Sequence, residues 1–325
     1  MTDAIPNDIT FARLDQLDPD AWASLVRADP TSTPFHAYEW LRCLAATYPA
    51  WHVGALVRRR GGALAAALPV VRRRRLGVTV VESLPFGVYG GPVGAMDREA
   101  LVGELFASGG PLSLVRLVDP TGRVPALPGT RRRPASAAVI DLSAGYETVA
   151  RSYARNVKKN LHRARQRAVR VRPVTDETGA RTFWDLASYT YRLHGARMPY
   201  PVSLYENIVR HIAPAGRALF ELAYLDDVAI AGALHLRDDR QMVNWLTPAY
   251  RERQDVRANT LLIDNAIRAA CDGGIRTYNL GASPEGEAGL VRFKRTWGAR
   301  DQEYAVLVRR GRALDLVAGV LRRSL

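Results

Sequence analysis

The sequence predicts an α/β (α+β) protein of two tandem units, each a mixed, mostly antiparallel sheet flanked by helices, with the first unit over residues 1–148 and the second over 149–325. Three observations predict it. A chain of 325 residues exceeds one compact domain at roughly 150 residues per unit, and a 47% hydrophobic content is enough to fill two cores. Apolar runs of period two alternate with amphipathic runs of period 3.6 along the whole chain. The same order of elements occurs twice, without detectable identity between the halves.

In the first half the periodicity predicts helices over Pro19–Ala28 and Tyr38–Thr47. An antiparallel pair follows, WHVGALV (51–57) and ALAAALPVV (63–71), joined through Gly61 and Gly62, then a strand VTVVESL (78–84). A glycine-rich loop, PFGVYGGP (85–92), leads to a helix over Arg98–Ala107 and to strands LSLVRLV (112–118) and AAVIDL (137–142). The second half opens on the basic segment RSYARNVKKNLHRARQRA (151–168) and a strand VRVRPV (169–174), followed by helices over 178–193 and 204–212. A meander LFELAYL, VAIAGALHL, QMVNWLT turns at Asp226 and Asp227 and again over 237–240. A long helix over 257–271 stops at Gly273 and Gly274, and a strand IRTYNL, a helix over 287–297 and a strand EYAVLV complete the half.

Composition bounds the function. The chain carries 46 Lys and Arg against 32 Asp and Glu, a net charge of +14 that favours polyanionic partners: RNA, acidic lipid surfaces or phosphate-bearing substrates. Solvated arginine runs, such as 58–60, 72–75 and 131–133, account for part of it. Cys43 and Cys271 have neither CxxC nor His-paired spacing, so neither a disulfide framework nor a zinc site is expected. MTDAIPND at the N-terminus is acidic where a secretory leader is basic and then apolar, and the longest apolar run, near 61–71, is broken by Gly and Pro. A cytoplasmic protein without membrane insertion is expected. No helix-turn-helix, zinc finger or aromatic platform accompanies the charge, which disfavours a dedicated DNA reader.

Helix, helix, antiparallel meander, helix, strand, helix, strand is an order that resembles the GNAT acyltransferase fold, and a tandem of two such units resembles the Fem peptidyltransferases. Five stretches carry the resemblance to these FemAB-like proteins: PFHAYEWLRCL (34–44), YGGPV (89–93), ARNVKKNLHRARQRAVRV (154–171), RLHGARMPYPVSLYENI (192–208) and TYNLGAS with VRFKRTWGA (277–299). The resemblance implies transfer of an aminoacyl group from aminoacyl-tRNA, a co-substrate rather than a cofactor, to an amine acceptor: a peptidoglycan precursor or a small-molecule amine. No metal is implied.

Within the basic segment Tyr153, Val157, Leu161, Ala164 and Ala168 fall on one helical face, so the helix docks on a core. Arg155, Lys159, Arg163 and Arg167 form an adjoining cationic ridge, either a solvated face or, as the resemblance implies, a wall for phosphate-bearing substrates. Lys294 in RFKRTWG stands where relatives carry Phe-Lys, which implies a fixed cation near the donor or the developing oxyanion. Phe293 and Trp297, at i and i+4, anchor its helix. Tyr278, Asn279 and Gly281 end a strand whose end, in a GNAT-like sheet, faces the cleft. Arg197 follows His194 and Gly195; the His-Gly pair suits a helix C-terminus, and the resemblance places Arg197 near the acceptor, where its fork suits a phosphate or carboxylate. Trp40 and Arg42 match a family tryptophan followed by a basic residue that holds acceptor phosphates, with plain core as the alternative for Trp40. Tyr89 belongs to the glycine-rich loop, whose bare backbone suits a phosphate or carbonyl or is merely a turn.

No Ser-His-Asp or Cys-His order supports a covalent acyl-enzyme, which leaves direct attack by the amine. A CoA-using relative carries (Gln/Arg)-x-x-Gly-x-(Gly/Ala) before the long helix, because bare N–H groups must approach the pyrophosphate. Here Arg257 and Asn259 replace the glycine and the small residue after Gln254. That departure disfavours acyl-CoA, although a CoA-dependent N-acyltransferase acting on a polysaccharide, lipid or amine stays as an alternative, as does a non-catalytic RNA-binding module. The helical arm that some Fem enzymes insert in the second unit has no room here.

Overall fold

A computed structural model describes residues 9–284 and 286–315; residues 1–8, read above as lacking a leader, lie outside them. The chain divides into two compact units, one of residues 1–135 with 303–325 and the other of residues 136–302. This division differs from a single cut after residue 148, because the last strand returns to the first unit.

The first described element of the first unit is a short strand, β1 (Ile9–Arg13), absent from the sequence reading. Helices α1 (Pro19–Ala28) and α2 (Tyr38–Thr47) follow; Asp18 starts α1 by accepting from the N–H groups of Asp20 and Ala21, with Pro19 in the first turn where its missing N–H costs nothing. Strands β2 (His52–Arg60), β3 (Ala63–Arg75) and β4 (Val78–Glu82), helix α3 (Arg98–Ala107) and strand β5 (Ser113–Asp119) complete its N-terminal part. Residues of period two on these strands place Leu68, Val70, Val81, Val115 and Leu117 beneath Leu101, Leu105 and Phe106 of α3. Adjacent strands are antiparallel except β4 with β5.

The second unit begins within β6 (Arg131–Asp141) and continues through α4 (Tyr146–Ser152), α5 (Arg155–Gln166), β7 (Arg170–Pro173), α6 (Glu177–Leu193) and α7 (Val202–Asn207), which runs on into a wider helical turn over Ile208–Ile212. Strands β8 (Ala218–Leu225), β9 (Val228–Arg237) and β10 (Gln241–Leu246) form the meander, followed by α8 (Ala258–Asp272), β11 (Thr277–Ala282) and α9 (Ala288–Arg295). The sheet order here is β6-β11-β10-β9-β8-β7. One face packs on α4, α5 and α8 around Ile140, Met242, Ile267, Tyr278 and Trp297. The other receives Phe183 of α6, which meets Phe220 edge-on at 4.8 Å; a Cβ on Gly232 of β9 would lie 2.6 Å from the Phe183 ring, so glycine is what lets α6 sit that close.

The last described strand is β12 (Arg300–Arg310), which pairs antiparallel with β5 from Ala305↔Asp119 to Arg310↔Leu114 and puts Ala305 and Leu307 into the core of the first unit. No helix among the described residues is long and apolar enough to cross a membrane.

Candidate functional site

Parallel strands whose carboxyl ends part are where ligands enter open α/β sheets. β10 and β11 are such a pair. They run parallel only through Gln241↔Thr277, Met242↔Tyr278 and Val243↔Asn279. Beyond that level β10 bulges against β9 between Asn244 and Leu246, and β11 shifts register against β6 between Asn279 and Ala282. Both irregularities fall at the same height, so the ladder between the two strands stops there.

Lys294 of α9 reaches the end of β11. Its Nζ donates to the carbonyls of Gly281 and Ala282, at 2.7 Å each, and the residue is 5% exposed. Gly281 sits at φ +76, a conformation glycine adopts without strain, and its N–H donates to Asn279 Oδ1 at 2.7 Å. Asn279, Gly281 and Lys294 thus form one knot at the parted strand ends. No carboxylate among the described residues pairs with the ammonium, and burial pushes its pKa down to about 8. An ammonium has three N–H donors, so one remains beyond the two carbonyls.

Tyr278 and Trp297 lie elsewhere. Adjacent strand residues point to opposite faces, so with Asn279 at the strand end Tyr278 points into the core under α8, where it is fully buried with its hydroxyl 2.8 Å from His235 Nε2. Tyr278 is therefore core and not a substrate contact. Trp297 is fully buried against Tyr153, 5.0 Å between centroids, and anchors α9 rather than touching substrate. Phe293 meets Trp297 at 6.2 Å but stays 38% exposed.

Helix α5 docks as its stripe requires through Tyr153 just before it and through Val157, Leu161 and Ala164, all buried. Ala168 does not join them: the helix ends at Gln166, and Ala168 is exposed at φ +53. Arg165 adds a pair to the buried Asp264 of α8 at 3.1 Å, and Tyr146 donates to the same carboxylate at 2.8 Å. Arg155, Lys159, Arg163 and Arg167 are all exposed. His194 caps α6, Gly195 takes φ +68 after it, and Arg197 is exposed on the following loop.

Trp40, Arg42 and Tyr89 belong to the first unit. Trp40 is fully buried, edge-on to Phe35 at 5.6 Å, so it is core; Arg42 is exposed, and Tyr89 is half-buried against Tyr304 at 5.3 Å. The glycine-rich loop spends its polar backbone internally: buried His36 contacts the Gly91 carbonyl through Nε2 at 2.8 Å, and its Nδ1 accepts from the Thr33 N–H at 3.0 Å. Burial lowers the His36 pKa.

Before α8, Arg257 occupies the N-cap at φ +63, the backbone path that a glycine takes at no cost. The Arg257 residue is exposed, and Asn259 turns its amide toward the Thr247 carbonyl at 3.4 Å. The glycine-like turn persists with side chains added.

Two desolvated titratable groups, one fully buried and one half-buried, escaped the sequence reading. His235, fully buried on β9, has a pKa pushed down to about 4 by desolvation and is neutral. Glu221 of β8 has its carboxyl held up to about 7 by burial. The signal was present in LFELAYL, where Glu221 shares the inward alternation of Leu219 and Ala223. Its sign is definite: the native state holds a proton that the unfolded chain releases, so stability is lost as pH rises from about 4.5 to about 7. Glu221→Gln is expected to stabilise the protein by about 2 kcal/mol at pH 7.5, with the gain vanishing below pH 4.5, in urea titrations at the two pH values.

Residues 151–295 match the family model described as the acetyltransferase (GNAT) domain. Among solved structures, FemX superposes with a TM-score of 0.69 at 13% identity over 89% of this chain and 96% of its own. The C-terminal domain of a putative lysylphosphatidylglycerol synthetase from Agrobacterium fabrum gives 0.55 at 14% identity over 93% and 95% of the two chains. A tandem GNAT protein from the clavulanic acid biosynthesis pathway gives 0.54 at 14% identity over 94% and 98%. No curated protein matches the chain in sequence. The fold is thus the tandem GNAT-type acyltransferase fold shared with FemX.

Proposed function

We propose that this chain, built on the tandem GNAT-type acyltransferase fold, is an N-acyltransferase that moves an aminoacyl group from aminoacyl-tRNA to an amine acceptor. One observation carries the reading: a buried lysine with no carboxylate partner among the described residues stands where β10 and β11 part. The amine nitrogen attacks the ester carbonyl, a C–N bond forms, and the C–O bond to the terminal ribose breaks. The amine proton passes to solvent or to the departing ribose oxygen. Negative charge grows on the carbonyl oxygen during attack, and a fixed cation in a water-poor place favours that charge more in the transition state than in the ground state. The two backbone carbonyls hold Nζ in place and leave its third proton for the oxyanion. Arg155, Lys159 and Arg197, exposed and cationic, take phosphates of the donor or acceptor. The net charge of +14 and the structural kinship to FemX and to a lysylphosphatidylglycerol synthetase domain support the tRNA donor.

A second reading, acyl transfer from acyl-CoA, is favoured by one feature: the turn at Arg257 keeps the glycine-like backbone at the start of α8. Two arms separate the readings. Purified protein is given charged, labelled total tRNA and a pool of amines, with and without ribonuclease, and in parallel labelled acyl-CoA. Ribonuclease-sensitive label in a small product, lost in Lys294→Ala, supports the first reading. Transfer from acyl-CoA alone overturns it in favour of the second.

The pH profile follows from the lysine. Catalysis needs the ammonium, which loses its proton above about pH 8, so kcat is expected to fall on an alkaline limb with an apparent pKa near 8. Lys294→Arg, charged throughout, is expected to move that limb beyond pH 10 even if it lowers the plateau.

A further inference from the structure

The hairpin that joins β3 to β4 is built against local preference. Arg75 pairs with Val78, leaving Leu76 and Gly77 as a two-residue turn with φ +48 and +78. Positive φ at both positions is the type I′ arrangement, which favours Asn-Gly and disfavours leucine. Leu76 is also 96% exposed. A large apolar side chain held in a strained conformation and pushed into water does nothing for the fold of the first unit.

Its surroundings supply a reason. Arg74 and Arg75 precede it, exposed and without a carboxylate partner among the described residues, whereas Arg73 is tied to Glu82 and Arg72 to the Ser108 carbonyl. At the same end of the sheet the Thr79 N–H donates to the carbonyl of Leu112, which is 50% exposed. Two residues on, Leu114 begins the floor of a groove of about 340 Å³, with Val306 and Val308 beside it and Arg116, Arg131, Arg133 and Arg310 around it. Asp315 is the single carboxylate in that lining.

We propose that this end of the first unit docks on an anionic phospholipid bilayer. Leu76 and Leu112 enter the boundary between headgroups and acyl chains, Arg74 and Arg75 pair with lipid phosphates beside them, and the arginine-rimmed groove takes a headgroup. Arginine forks suit phosphates of either lipid or RNA. The two leucines decide between them, because an RNA backbone offers nothing for an exposed leucine to bury against, while a bilayer does. The proposal is independent of the acyl-transfer reading.

The test is co-sedimentation of the full chain with vesicles of phosphatidylglycerol and phosphatidylcholine, against pure phosphatidylcholine. Binding to the anionic vesicles alone, weakening as salt rises to about 0.5 M, is the expected result. Leu76→Asn installs the turn pair that the backbone prefers, so Tm stays the same or rises while the partition coefficient falls roughly tenfold. Arg74→Gln and Arg75→Gln each lower it roughly fivefold. Equal binding by wild type and Leu76→Asn overturns the proposal. So does a result in which total tRNA, and not vesicles, loses affinity in Arg74→Gln and Arg75→Gln, which would assign the surface to RNA.

Discussion

Lys294→Met is expected to lower kcat/KM for acyl transfer by about 100- to 1,000-fold, the loss that follows removal of one preorganised oxyanion donor. The substitution keeps the length and apolar stem of the side chain and removes the charge. It also strips the Gly281 and Ala282 carbonyls of their donor, at about 1–2 kcal/mol, partly offset because an ammonium no longer has to be buried. Folding should therefore survive, as circular dichroism and a urea midpoint will show. If Lys294 only clamps the turn, Lys294→Met retains most of its turnover, and the catalytic assignment is lost.

Trp297→Ala is expected to destabilise the protein by about 3–5 kcal/mol in urea denaturation. The side chain is fully buried among Tyr153, Ile267 and Tyr278, and it pins the C-terminal end of α9 to the core. Because Lys294 lies one turn earlier on that helix, activity should fall with stability. Trp297→Phe separates size from shape: the indole N–H has no hydrogen-bond partner among the described residues, so most of the packing is regained and the cost should stay below about 2 kcal/mol.

Hydrophobic periodicity located the main helices and strands because each buries one face, and a buried face leaves a repeating trace. It could not find β1, whose alternation over five residues is weak, with only Ala12 buried. Partnership leaves no trace either. EYAVLV alternates correctly as a strand, yet nothing in that alternation says that its neighbour is β5, more than 180 residues earlier in the chain. The motif drew attention to Lys294 but says nothing of its burial at the end of β11, while Tyr278 and Asn279 were both assigned to the cleft although period two allows only one of them there. Ala168 continued the apolar spacing of α5 on paper, but the helix had already ended. The pairing of His235 with Tyr278 joins β9 to β11 and depends on a sheet order that no local pattern contains.

The return of β12 has a consequence for synthesis. The first unit needs Ala305 and Leu307 to close its core, and the ribosome makes them only after the whole of residues 136–302. Until then β5 presents an open edge, a template for the wrong strand. The second unit, continuous in the chain, can fold while the first waits, so the protein matures from its middle outward, and truncation before residue 305 should leave the N-terminal half dependent on chaperones rather than merely shortened.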